Sequence, residues 1–204
     1  MSTANTPLRR FWAEFRENKV AVVALVVVAL MILLAVFASV VSPQNPYDLA
    51  NLSLMDSRRP PGFVGSGGYT HILGTDPQGR DLLSAIFYGL RISIQIGLAA
   101  GFVSLTIGTT LGILAAYVGG RIEALIMRLV DLQLSFPAIL LALVIVALLG
   151  QGKAQLIGAL VVAQYAYFAR TAYGAAKAER GKDYVEAALA VPLSARLVVM
   201  RHLL

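Results

Sequence analysis

The chain reads as an all-α integral membrane protein, and three observations predict that class. Hydrophobic residues make up 58% of the 204 positions and charged residues only 14%, against about 45–50% and about 25% in soluble domains. Mean hydropathy is +0.74. Four apolar stretches of membrane-crossing length follow one another, separated by connections rich in Pro, Gly or basic residues.

The first element is expected over residues 7–19, PLRRFWAEFRENK, as a short amphipathic helix in the membrane interface. Phe11 and Phe15 lie one turn apart, Trp12 suits the headgroup level, and Arg9, Arg10, Arg16 and Lys19 stay in water. Val20 to Val41 is then an uninterrupted apolar run of 22 residues, enough to cross a hydrocarbon core of about 30 Å. It lacks a small-residue cleavage site and is too long for a signal peptide, so it is expected to remain as an anchor. Ser42-Pro43 and Asn45-Pro46 end it. Residues 42–80 are polar and rich in Pro and Gly, which predicts an extended external segment with little regular structure.

Within HILGTDPQGRDLLSAIFYGLRIS, residues 71–93, Thr75 or Asp76 is expected to cap an interfacial helix that starts at Pro77. Arg80 and Asp81 would sit at the outer surface, and Phe87 and Tyr88 in an aromatic belt. Span two is expected over Ile92–Val118. Its G-x-x-x-G pairs, Gly97 with Gly101 and Gly108 with Gly112, permit close helix approach. Gly119-Gly120 turns the chain. Span three is expected over Leu132–Leu149, with Pro137 near its start or at a kink, and span four over Leu156–Ala172, interrupted by Gln164 and closed by Arg170. Because polar groups in lipid are costly, Gln95, Gln133 and Gln164 are expected to face other helices or a water-filled path. Asp131 reads as a paired or capping carboxylate beside Arg121 and Arg128 rather than as a proton relay.

Orientation follows from counting basic residues. Twelve Lys and Arg fall on the side of the N-terminus and five on the other, which places both termini in the cytoplasm. The net charge of +6 is thereby used at the membrane and does not indicate nucleic acid. With no cysteine, disulfides, thiolate metal sites and cysteine catalysis are excluded. The two histidines, His71 and His202, are far apart. No zinc-protease motif, nucleophile elbow or P-loop occurs, so nothing in the sequence looks catalytic, and no cofactor or metal is expected on the chain itself.

The tail, DYVEAALAVPLSARLVVMRHLL, is charged and helix-forming. Asp183 and Glu186 have capping-box spacing. Pro192 breaks the helix, and Ser194 can cap a second one.

These pieces together resemble one family. HILGTDPQGRDLLSAIFYGLRIS is similar to the entry into the core domain of the C-type permease subunit of dipeptide and oligopeptide (or nickel) ABC importers. RRFWAEFRENKVAVV, SPQNPYD, AAYVGGRIEALIMRLVDLQLSFP and YFAR at Tyr167–Arg170 are similar to it in the same order. The tail resembles the family's cytoplasmic coupling loop, Glu-Ala-Ala, three residues, then Gly, with Glu186, Ala187 and Ala188 matching and Pro192 on the glycine.

The resemblance implies a type I ABC importer permease fold, with four of the family's six transmembrane helices present, as in a truncated copy or a fragment. It implies an N-terminal part at 1–41, an external segment with an interfacial helix at 42–91, and a partial permease core with its coupling loop at 92–204. It implies pairing with a second permease subunit, with cytoplasmic ABC ATPase subunits that hydrolyse the ATP, and with an external solute-binding protein, in a bacterial inner membrane. Asp183, Tyr184, Val185, Glu186, Ala187, Ala188 and Pro192 would form the ATPase-docking loop, with Glu186 at a polar contact. Gln95 and Gln164 are the candidate path-lining residues. The expected function is uptake of di- or oligopeptides; nickel or another small solute is the alternative, as is a non-transporting membrane adaptor or inactive copy.

Overall fold

The computed structural model describes residues 7–48, 50, 52–150 and 152–182. Among these residues seven α-helices run in chain order: α1 Pro7–Glu17, α2 Lys19–Val36, α3 Ala38–Val41, α4 Leu82–Val118, α5 Gly120–Leu134, α6 Ala138–Leu149 and α7 Lys153–Arg180. Between α3 and α4 lies a two-stranded ribbon, β1 Phe63–Val64 and β2 Thr70–His71. Two compact units divide within α4, the first ending at Gln95 and the second starting at Ile96.

In the first unit, Asn18 separates α1 from α2 because its side chain accepts the Ala21 N–H at 3.1 Å, an N-cap bond that satisfies a free donor. Every turn of α2 is apolar and only its Ala35 is buried, as expected of a helix whose solvent is lipid. The predicted run Val20–Val41 breaks at Phe37, where the backbone leaves helical geometry before α3 begins.

The next segment holds little regular structure among its described residues, as expected, but it is not a loose extended stretch; it is knit by hydrogen bonds: β1 and β2 pair antiparallel with Phe63 opposite His71, and Thr75 bridges to Asp81. Gly79 shows why glycine is needed here. Its φ is +76°, and a Cβ would lie 2.1 Å from the Ser53 carbonyl oxygen. The expected helix start at Pro77 is also overturned. Asp76 caps a turn, accepting from the Gln78 N–H at 2.8 Å and the Arg80 N–H at 3.0 Å, and helix begins only at Leu82. The interfacial helix and span two are one continuous helix of 37 residues.

The second unit is built from small residues. The buried face of α7 is Ala159, Ala163, Ala166, Ala169 and Ala176. Ala166 and Ala169 meet Ala115 of α4 and Met127 and Val130 of α5, while Ala176 meets Ile113 and Ala116 of α4. Where lipid offers no hydrophobic drive between helices, such small side chains let backbones approach and gain van der Waals contact.

Span three bends at the position where Pro137 is expected to start or kink it: α5 and α6 meet at 89°. The cause is local. Pro137 has no N–H to donate, and the Ser135 hydroxyl bonds back to the Asp131 carbonyl at 2.8 Å. Among the described residues two helices, α2 and α4, are long and apolar enough to cross a membrane, and the bent pair α5–α6 counts as a third if taken as one span. The predicted fourth span lies inside α7, which has 28 residues but is not among the helices that are both long and apolar enough to cross a membrane.

Candidate functional site

α5 and α7 are tied together along their length, and this clamped pair leads directly into the tail. Near one end, Lys177 donates to the Glu123 carboxylate at 2.7 Å, and the Tyr173 hydroxyl donates to the same oxygen. Lys177 also stands over the Tyr173 ring, 5.9 Å from its centroid. Further along, Arg170 pairs with Asp131 at 3.0 Å, and the Gln133 side-chain amide donates to the Val162 carbonyl. The Arg180 guanidinium donates to the Ala116 carbonyl at the end of α4. After Arg180, Gly181 closes the helix and Lys182 pairs with Glu179 at 2.7 Å.

Each contact has a simple local origin. Glu123 sits in the first turn of α5, where a carboxylate is favoured by the helix dipole. Tyr173 and Lys177 are one turn apart on α7 and so present one edge to it. For Asp131 the expected partners Arg121 and Arg128 are corrected: its cation is Arg170, on a different helix.

The structure separates the two predicted glycine pairs. At Gly108, a Cβ would lie 2.4 Å from the Tyr165 carbonyl oxygen and 2.6 Å from the Phe168 Cβ. At Gly112 it would lie 2.4 Å from the Ala169 carbonyl oxygen and 2.8 Å from the Tyr173 nitrogen. Both face α7 backbone. Gly97 and Gly101, expected to pack in the same way, meet nothing within 4 Å, so their predicted helix contact is not made among the described residues.

Gln95 is exposed on α4. Gln164 is exposed on α7 and is the polar member of an otherwise apolar cavity of about 260 Å³ between α6 and α7, walled by Ala138, Ala142, Val146, Leu156 and Leu160 among others. Asp183, Tyr184, Val185, Glu186, Ala187, Ala188 and Pro192 lie outside the described residues.

A second cluster, passed over at the level of sequence, holds the 42–81 segment on the start of α4. Asp81, expected at the surface, is fully buried. One of its oxygens meets His71 Nδ1 at 3.0 Å. The other accepts from the Ser84 N–H and hydroxyl, each at 2.7 Å, and the Asp81 N–H donates to the Gln44 side chain at 2.7 Å. His71 is itself buried, stacked on Phe63 and edge-on to Tyr69.

Beside it, Asp56 accepts from the Ser66 hydroxyl at 2.6 Å and the Ser66 N–H at 2.9 Å. These bonds hold the Asp56 carboxyl below its ordinary range, the side-chain bond foremost. At Asp76, burial pushes the carboxyl up, but the Arg80 N–H and guanidinium and the Gln78 N–H together outweigh it and leave the group lowered. Burial, with Asp56 and Asp81 nearby, raises the Tyr69 phenol. The signal that could have found this cluster is the density of Asp, Thr, Ser and Gly between Ser53 and Ser84, residue types that bond backbone locally.

A helical core packed through Ala and Gly, with several apolar helices able to cross a bilayer, defines a multi-pass membrane protein. Comparison with known proteins makes the class specific. Residues 108–204 match the family described as binding-protein-dependent transport system inner membrane component, and residues 6–61 match the N-terminal TM domain of oligopeptide transport permease C. Both matched segments are thus similar to inner-membrane transport permeases.

Among its relatives, the dipeptide transport system permease protein of Haemophilus influenzae is 34% identical over 88% of this chain and 60% of its own. The di/tripeptide transport system permease protein of Pseudomonas aeruginosa is 38% identical over 89% of this chain and 59% of its own. The glutathione transport system permease protein of Pectobacterium atrosepticum is 35% identical over 99% of this chain and 64% of its own. The chain thus spans about three-fifths of the length of the curated relatives it matches.

Proposed function

We propose that the chain acts as a transmembrane permease subunit of an ATP-binding-cassette importer that moves di- or oligopeptides across the cytoplasmic membrane. The observation that carries this reading is the match of two consecutive segments to the permease family, with relatives named for dipeptide and di/tripeptide transport. In this reading the chain binds no cofactor. ATP is hydrolysed by partner ABC subunits, a second permease subunit completes the path, and an external solute-binding protein delivers the substrate. The count of twelve basic residues against five supports cytoplasmic termini.

The mechanism follows from the clamp. A helix pair joined by Glu123–Lys177, Asp131–Arg170 and Gln133–Val162 moves as one body. Displacement of the loop Asp183–Ala188 by an ATPase would be passed along α7 to α5 and, through the Gly108 and Gly112 contacts, to α4. Glu186 supplies the polar contact to the ATPase, Ala187 and Ala188 allow close approach, and Tyr184 and Val185 pack in its groove. Pro192 replaces the family's glycine at the turn. Gln95 and Gln164 are proposed to line the path.

A second substrate, glutathione, is suggested by a relative named for glutathione transport that aligns over 99% of this chain, a share that a dipeptide transport permease equals. The test is uptake in a host that supplies the remaining subunits. A labelled dipeptide should be taken up and competed by substrate, and Glu186→Lys should abolish uptake while the chain still inserts. Uptake unchanged by that substitution overturns the role of Glu186. Competition by glutathione but not by dipeptide selects the second substrate.

A further inference from the structure

We propose that α1 carries a binding site for the headgroup of an anionic phospholipid, formed by Arg9 and Arg16 with Trp12 between them. The three side chains line one crevice with Ala13, of about 320 Å³, and their spacing of three, four and seven residues puts them on one line of the helix. That line borders the aromatic face. Phe11 and Phe15 stack with centroids 6.1 Å apart, and Trp12 meets Phe15 edge-on at 5.6 Å. Trp12 and Phe11 are about half exposed, an apolar surface with no cover in the described chain. An aromatic face dipped into acyl chains therefore holds the two guanidinium groups at the level of lipid phosphates.

Charge complementarity selects the occupant. Among the described residues neither arginine makes an ion pair, and Glu14 and Glu17 fall away from their line on the helix. Two unpaired guanidinium groups flanking an indole suit a phosphodiester: each can donate in bidentate fashion to phosphate oxygens, while the indole N–H finds a partner in the same headgroup layer. Asn18 then caps α2 immediately afterwards, so a lipid held here sits at the foot of the first crossing helix.

Trp12 is the sole tryptophan of the chain, so its emission reads this site directly. The detergent-solubilised chain is titrated with short-chain phosphatidylglycerol and, separately, with phosphatidylcholine. Phosphatidylglycerol should bind more tightly by about fivefold for each arginine. Arg9→Gln with Arg16→Gln should bring the two lipids to parity, and Arg9→Lys with Arg16→Lys should retain a preference. Equal affinities in the unaltered chain, or a preference that survives the double glutamine change, overturn the proposal. So does an equal response to inorganic phosphate, which would make the site one for free anions. Should the glutamine variant fail to fold, the preference of the unaltered chain must fade between about 0.1 M and about 1 M salt, as screening shortens from about 10 Å to about 3 Å; a preference that persists sinks the lipid site.

Discussion

Glu123 and Lys177 lie 54 positions apart in sequence and meet at 2.7 Å, with the Tyr173 hydroxyl on the same carboxylate oxygen. One carboxylate thus receives two donors from a single edge of α7. Glu123→Lys should lower the thermal midpoint of the detergent-solubilised chain by placing like charges together, and Lys177→Glu added to it should restore most of the loss. Size-exclusion recovery after heating measures both. A double variant no better than the single would mean that the pair carries no coupling between α5 and α7.

The two glycine pairs of α4 should respond differently. Gly108→Val and Gly112→Val each drive a side chain into α7 backbone, a cost of about 1–3 kcal/mol or more by overpacking. Gly97→Ala and Gly101→Ala meet open space and should stay within about 0.5 kcal/mol, as unconstrained sites do. The same heating assay applied to all four variants checks the contrast.

Asp56 links the 42–81 segment to acidity. Its folded-state carboxyl is lowered by Ser66, so the stabilisation it provides is complete above the ordinary carboxylate range of about 4 and is lost as pH falls through the lower folded value. Hydrogen exchange at the Ser66 amide should therefore show protection that declines below about pH 4. In Ser66→Ala the decline should be shallower, because less of the shift remains to be lost. An unchanged profile would show that Ser66 does not hold the carboxyl down.

Asp81→Ala removes the acceptor for His71 Nδ1 and for both Ser84 donors. Stranding buried polar groups costs about 1–3 kcal/mol each, so the segment should open while the helices stay. Trypsin should then cleave after Arg58 well before it cuts within α4. Cleavage kinetics equal to those of the unaltered chain would show the cluster to be dispensable.

Some of this architecture was legible residue by residue. The apolar run from Val20, the breakers at Pro43 and Pro46 that end it, and the small-residue spacing at Gly108 and Gly112 are local patterns, and local chemistry suffices to read them. The turn at Asp76 was misread because Asp-Pro suits both a helix start and an Asx turn. The choice fell to tertiary bonds: Thr75 accepts the Arg59 N–H at 2.8 Å, and Asp81 turns inward to His71.

Composition and hydropathy by themselves determined that the chain is a helical membrane protein, because burying 58% apolar residues needs lipid, and its motif order pointed to the permease family. The tertiary structure alone decided which residues meet: Asp131 with Arg170 rather than Arg121 or Arg128, and Gly108 and Gly112 against α7 while Gly97 and Gly101 stay open. The physical reason is common to both. Periodicity states which face of a helix a residue occupies, but partners across 39 to 54 positions are set only when the helices pack.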